Sequence, residues 1–123
     1  MTDQKTFIIA GIVTVFVIIG VILIWPSNGP QKNYDKFAQC LSEKGAVEYG
    51  AYWCGHCKEQ KEMFGKSFKF INYIECDPNG EAARPELCAA AEITGYPTWI
   101  INGKRLEGVQ KFETLAEATN CTL

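Results

Sequence analysis

The sequence predicts an α/β domain set behind one N-terminal apolar helix, and three observations predict it. An uncharged run from Phe7 to Trp25 stands apart from a polar remainder. Helical and extended periodicities then alternate along that remainder, the pattern of helices packed on a sheet. Asn102-Gly103 lies between two extended runs, the strongest short hairpin signal in the chain.

Residues 1–6 form a tail and residues 7–25 a membrane anchor. At ~1.5 Å per residue, 19 uncharged residues cover most of a ~30 Å hydrocarbon layer, with Trp25 where an interfacial aromatic belongs. The rival readings are a cleaved signal peptide, for which Lys5 and the terminal amine supply a short positive region, and a buried core helix. The run exceeds the usual signal core, no Ala-x-Ala site follows, and Pro30 comes directly after the nearest small pair, Ser27 and Gly29. Residues 26–33, with Ser27-Asn28-Gly29-Pro30, read as a turn-rich linker to a domain over 34–123. Charge leaves orientation open, since Asp3 offsets Lys5 and Asp35 faces Lys32 and Lys36. Six cysteines in so small a domain point to the extracytoplasmic side of a single-pass protein.

Within the domain, Tyr34, Phe37, Ala38 and Leu41 recur at helical spacing over Tyr34–Lys44, and Gly45 supplies a stop. Ala46–Tyr52 suits a buried strand ending at a functional turn. A second helix runs from Cys57 to about Phe68, mixing Lys and Glu with Met63, Phe64 and Phe68. Phe70–Cys76 alternates as a strand and ends at Asp77-Pro78-Asn79-Gly80. Pro85 opens a third helix that runs through Ile93 toward Gly95. Thr98–Ile101 and Arg105–Val109 flank the Asn-Gly turn, and a last helix covers Phe112–Thr119 with Phe112, Leu115 and Ala116 on one face.

Beyond the anchor the charge is nearly balanced and slightly acidic, which argues against a nucleic-acid footprint. The cysteines, all from Cys40 onward, indicate an oxidising compartment, metal binding or thiol chemistry. Cys54-Gly55-His56-Cys57 decides among these by its placement where a strand hands over to a helix. There the helix dipole and free N–H groups stabilise a thiolate, making Cys54 the exposed candidate nucleophile. Cys57, one turn on, is placed to resolve a mixed disulfide, and His56 adds positive charge that favours the reduced dithiol and so an oxidising disulfide. Zinc would need a second closely spaced pair, covalent haem would need His where Lys58 stands, and a purely structural bridge would close too short a loop to stabilise much.

Val47 to Lys58, with its Cys-Gly-His-Cys core, resembles the active-site segment of thioredoxin-fold oxidoreductases and of protein disulfide isomerases in particular. Gly95-Tyr96-Pro97-Thr98 is similar to the loop that carries that family's cis-proline. Trp99–Gly103 and Leu106–Gln110 resemble the thioredoxin-like domain fused to bacterial and plant homologues of vitamin K epoxide reductase. The resemblance covers nearly all of residues 34–119 and lacks the quinone-reducing membrane domain of those fusions. It implies a thioredoxin fold, a mixed central sheet flanked by helices, with Cys54 attacking and Cys57 resolving. It further implies that Glu48 relays the resolving thiol's proton, with a satisfied strand carboxylate as the plainer reading. Pro97 would be cis beside the disulfide, Tyr96 would offer backbone groups to an extended substrate, and Trp53 would cover the motif or sit as ordinary core.

Cys76 and Cys88 would staple a loop of about 13 residues for ~3 kcal/mol. A structural bridge is the first reading, and a second redox pair, suggested by the membrane-fused relatives, is the other. Cys40 and Cys121 pair by elimination only, since sequence does not show whether their Cα atoms come within the ~7 Å a bridge requires. The expected protein is a membrane-tethered enzyme that exchanges disulfides with cysteine-containing exported proteins, as an oxidant, with no bound cofactor. A membrane quinone reductase similar to vitamin K epoxide reductase is the expected redox partner. An anchored reductase, and a non-catalytic module that holds extended chains beside Pro97, are the rivals.

Overall fold

The computed structural model describes residues 3–24 and 32–123, which belong to two separate units. Trp25 and the Ser27–Pro30 linker lie outside the described residues. The first unit is helix α1, Asp3–Ile24. Its apolar side chains, Phe7, Ile8 and Phe16 among them, are exposed, and the Thr14 hydroxyl donates back to the Ala10 carbonyl at 2.7 Å. By length and composition this helix is long and apolar enough to cross a membrane, as a membrane anchor or a signal sequence would be.

The second unit begins with α2, Asp35–Glu43, where Asn33 Oδ1 accepts the Asp35 N–H at 2.8 Å and so ties up a donor at the helix start. Then come β1 (Val47–Gly50), α3 (Gly55–Phe64), a 3₁₀ segment (Gly65–Phe70), β2 (Tyr73–Glu75), α4 (Pro85–Ala90), β3 (Thr98–Ile101), β4 (Lys104–Glu107) and α5 (Phe112–Thr119). The sheet order is β2-β1-β3-β4, with β1 and β2 parallel and the other two pairings antiparallel. One row crosses all four strands, Tyr73, Glu48, Trp99 and Leu106. Asn102 and Gly103, at φ 51° and 80°, make the β3–β4 turn that the sequence predicts, and both residue types tolerate that conformation.

Phe37 and Leu41 of α2, Phe64 of α3, Trp99 and Ile101 of β3, and Phe112 and Leu115 of α5 form the main core. Each such burial removes apolar surface worth roughly 1.5–3 kcal/mol. The Phe64 and Phe112 rings meet at 4.6 Å, which ties the two helices to each other.

Three elements differ most from the sequence reading. The second helix starts earlier, at Gly55, and its α-form stops at Phe64 because Gly65 takes φ 55°; Phe68 and Phe70 keep their apolar spacing because the 3₁₀ segment packs them on the same core. The following strand shrinks to Tyr73–Glu75 for the same reason. The third helix ends at Ala90 instead of running through Ile93. Glu92 has φ 52°, and Arg105 of β4 donates to the Ala91 and Glu92 carbonyls at 2.8 and 3.1 Å, taking acceptors that a longer helix would use itself.

Two disulfides close the unit, Cys40–Cys121 across 81 positions and Cys76–Cys88 across 12. Loop-closure entropy makes the first worth ~4.5 kcal/mol and the second ~3 kcal/mol. In urea unfolding of the detergent-solubilised chain, Cys40→Ser/Cys121→Ser is therefore expected to lose more stability than Cys76→Ser/Cys88→Ser. The reverse order would show that native packing, not chain entropy, sets their contributions.

Candidate active site

After Gly50 the chain turns over Ala51-Tyr52-Trp53, and the Ala51 carbonyl accepts the Cys54 N–H at 3.0 Å. Cys54 is extended, at φ −77° and ψ 117°, and is the N-cap of α3. Its Sγ accepts the Cys57 N–H at 3.1 Å, in the place where a serine or aspartate oxygen normally caps a helix. Both thiols are free. The sequence reading expected an exposed Cys54, whereas the residue is only 7% exposed, because its sulfur turns inward to the helix start and Tyr96 packs against the pair. Cys57 is 1% exposed. Burial first, then the hydrogen bond with Cys54, pushes its thiol up to about 12, against an opposing backbone hydrogen bond from Ala51.

Behind the pair stands Glu48, at 0% exposure, with both carboxyl oxygens unpaired among the described residues. Burial pushes this carboxyl up to about 8, with Lys61 pulling the other way. Glu48 therefore holds a proton at neutral pH and releases it just above. Its row neighbour Tyr73 carries the Lys61 ammonium over its ring at 3.9 Å. Burial, followed by the charge of Glu75, drives the Tyr73 phenol well above its ordinary range, so it stays a donor. Gly50 makes this crowding possible. A Cβ there would come within 2.8 Å of the Tyr73 ring and 3.0 Å of Cys57 Sγ. On the other side, buried Gln60 accepts the Trp99 indole N–H at 3.3 Å and the Gln110 N–H at 2.6 Å, and donates to the Gln110 carbonyl at 3.1 Å, locking α3 to the sheet.

Around the cysteines the surface is aromatic. Tyr52 and Trp53 are exposed, and the Trp53 ring stands edge-on to Tyr96 at 6.0 Å. The Tyr96–Pro97 bond is cis, Pro97 is buried, and its carbonyl accepts the Gly108 N–H at 2.8 Å. The His56 ring lies on the exposed face of α3, its Nδ1 3.4 Å from Glu59 Oε2, so charge on His56 is partly neutralised there.

The fold thus gathers Cys54, Cys57 and Tyr96 into one cluster, with Trp53 against Tyr96 and Pro97 next in the chain. Cys40–Cys121 belongs to the main core instead, and Cys76–Cys88 flanks the site through the segment that follows β2. Sequence reasoning missed Tyr73, Glu75, Asp77, Lys61 and Gly50. Only the Asp77 turn carried a signal, and that signal was local.

A capped free thiol, a second thiol three residues on and a buried acid that is protonated at neutral pH make up a site for thiol–disulfide exchange. The thioredoxin family model matches residues 28–120. Thiol-disulfide oxidoreductase LTO1 of Arabidopsis thaliana is 49% identical over 90 residues, covering 70% of this chain and 24% of that protein. Protein disulfide isomerase-like 2-2 of Oryza sativa subsp. japonica is 38% identical over 93 residues (63% and 24%), and probable protein disulfide-isomerase A6 of Medicago sativa 34% over 105 (73% and 27%). The chain spans about a quarter of the length of these curated relatives. From the match over most of its length, this chain belongs to the thioredoxin family.

Proposed function

We propose that this protein is a membrane-anchored thiol-disulfide oxidoreductase. Residues 7–25 hold it in the membrane, residues 26–33 are the linker, and residues 34–123 act on the extracytoplasmic side as an oxidant of cysteine-containing exported proteins. The observation that carries the reading is the Cys54–Cys57 pair, free and capped at the start of α3 while the other four cysteines are bridged in pairs. In the oxidised enzyme a substrate thiolate attacks Cys54 Sγ, the Cys54–Cys57 bond breaks, and Cys57 leaves and takes up a proton. A second substrate thiolate then attacks the substrate sulfur of the mixed disulfide. The substrate leaves oxidised and both enzyme cysteines remain reduced.

Glu48 passes the proton to and from Cys57, and Trp53, Tyr96 and Pro97 border the path of the substrate chain. No bound cofactor takes part. An external oxidant must restore the disulfide, and the resemblance of Trp99–Gly103 and Leu106–Gln110 supports a quinone-reducing membrane protein similar to vitamin K epoxide reductase in that role. Cys40–Cys121 and Cys76–Cys88 act as structural bridges.

His56, next to Cys57 in the chain, supports the oxidant direction to the extent that its protonated form, shared with Glu59, stabilises the reduced pair. Equilibration with glutathione is expected to give a potential nearer to about −180 mV than to about −270 mV. A value at or below about −270 mV would make the protein an anchored reductase. A pair that does not equilibrate at all would leave a chain-binding module.

A further inference from the structure

The thiol chemistry leaves one buried acid unused. Glu75, at the end of β2, is 6% exposed and carries two specific contacts. Its Oε2 accepts the Tyr73 hydroxyl at 3.1 Å and its Oε1 accepts the Asp77 N–H at 2.9 Å. The surroundings are built to its shape, because a Cβ at Gly80 would collide with the Glu75 side chain. The residue between Glu75 and Asp77 is held as well. Cys76 donates its N–H to the Gly50 carbonyl at 2.8 Å and is bonded to Cys88, while the Glu75 carbonyl accepts the Arg84 N–H at 2.8 Å.

Asp77 passes this order outward. Its Oδ1 accepts the Asn79 backbone N–H at 2.8 Å and the Asn79 side-chain amide at 3.1 Å, leaving Oδ2 to accept the Trp53 indole N–H at 2.7 Å. These donors, the Asn79 backbone first, hold the Asp77 carboxyl below its ordinary range, so it stays an acceptor. Trp53 needs that partner. It is 61% exposed, and besides the edge contact with Tyr96 the Asp77 bond orients its ring beside Cys54. An exposed indole without such a bond samples several rotamers, and ordering it costs binding energy when a partner arrives.

We propose that Glu75 is a positioning residue for polypeptide substrates: through Asp77 it holds the Trp53 ring as a preset platform on which the chain next to the substrate cysteine lies. The proposal rests on the exchange reading of Cys54 and Cys57, and it adds a substrate class that the platform distinguishes. A polypeptide disulfide reaches across Trp53 and Tyr96. A small disulfide such as glutathione disulfide engages the sulfurs without covering the indole. The role belongs to a carboxylate because an apolar residue at position 75 would strand both the Tyr73 hydroxyl and the Asp77 N–H in a buried place.

The test follows single turnovers of the pre-reduced full chain in detergent with two oxidants, a cysteine-bridged model peptide and glutathione disulfide. Glu75→Leu keeps roughly the size and removes the acceptor of the Asp77 N–H, which a glutamine oxygen would still supply. It is expected to raise the half-saturating peptide concentration about three- to tenfold, the effect of one lost hydrogen bond, with the glutathione rate unchanged. Asp77→Ala, on the exposed turn, should reproduce the split and carries the test if the Glu75 variant does not fold. In a Trp53→Ala background, Glu75→Leu should add nothing further. Equal losses on both substrates, no loss on either, or additivity with Trp53→Ala would overturn the proposal and leave Glu75 a purely structural acid. A wild-type chain that exchanges with neither disulfide would overturn the exchange reading itself, and the proposal with it.

Discussion

In a Cys57→Ser chain, turnover is expected to fall to background while covalent adducts accumulate through Cys54. The reason lies in how the two sulfurs are held. Cys54 Sγ sits at the helix start facing the Cys57 N–H, and Cys57, at 1% exposure, reaches little beyond Cys54 itself. A serine oxygen there does not displace sulfur from a mixed disulfide at neutral pH, so the adduct formed by Cys54 has no internal exit. Non-reducing electrophoresis and identification of the adducts in membranes would read the outcome. Exported proteins with several cysteines would support a folding oxidant facing the extracytoplasmic side, and a multi-span quinone reductase among them would identify the source of oxidising equivalents. Cys54→Ser should trap nothing. Absence of adducts from Cys57→Ser, with Cys54 free and accessible to a small alkylating agent, would sink the oxidoreductase assignment for this chain.

Replacing Glu48 by Gln is expected to slow opening of the Cys54–Cys57 disulfide by a substrate thiol about 10²-fold near neutral pH, the lower end of what a positioned acid–base group contributes. A carboxyl at about 8 and a thiol at about 12 share the buried space behind Cys54; burial dominates both, and the Glu48 charge adds to the cost of ionising Cys57. Without the carboxyl, the departing Cys57 thiolate has no nearby proton donor, and the opening rate should lose its dependence on the acid form of Glu48 below about pH 8. Single-turnover opening by a substrate thiol measured from pH 6 to 9 would check this. An unchanged profile in Glu48→Gln would leave Glu48 a strand carboxylate with no part in the exchange.

The same acid predicts a stability effect of definite sign. Folded Glu48 titrates at about 8 against an ordinary 4.5, so between these values the native state keeps a proton that the unfolded chain has released. Its contribution is fully present below pH 4.5 and is lost as pH rises through 8. The slope approaches ~1.4 kcal/mol per pH unit within that window. Urea unfolding of the oxidised chain, in which the cysteine pair does not titrate, should show the decline, and Glu48→Gln should flatten it. A Glu48→Gln curve parallel to wild type would show that the carboxyl ionises freely.

Sequence alone was enough for several features that depend on neighbours a few residues apart. The Asn102-Gly103 turn follows from two residues that accept positive φ, and the place of Cys54 at a helix start follows from a strand-like run meeting a helical one. The periodic apolar positions Phe37, Leu41, Phe112 and Leu115 were likewise legible, and all four lie in the main core. The boundaries that slipped, at Gly65 and after Ala90, slipped where a backbone angle or a side chain from another strand ended the helix.

Tertiary structure decided what surrounds the reactive pair. Glu48 is an ordinary strand residue until the register sets it between Tyr73 and Trp99, where removal from water moves its titration across neutral pH. The pairing of Cys40 with Cys121 depends on two chain ends meeting across 81 positions, and the hold of Asp77 on Trp53 spans 24. Helix, turn and cap preferences arise within one turn of chain and are written in local residue types. Desolvation and hydrogen-bond partners arise from whatever the folded chain brings within a few ångströms, and that is fixed only when the sheet closes.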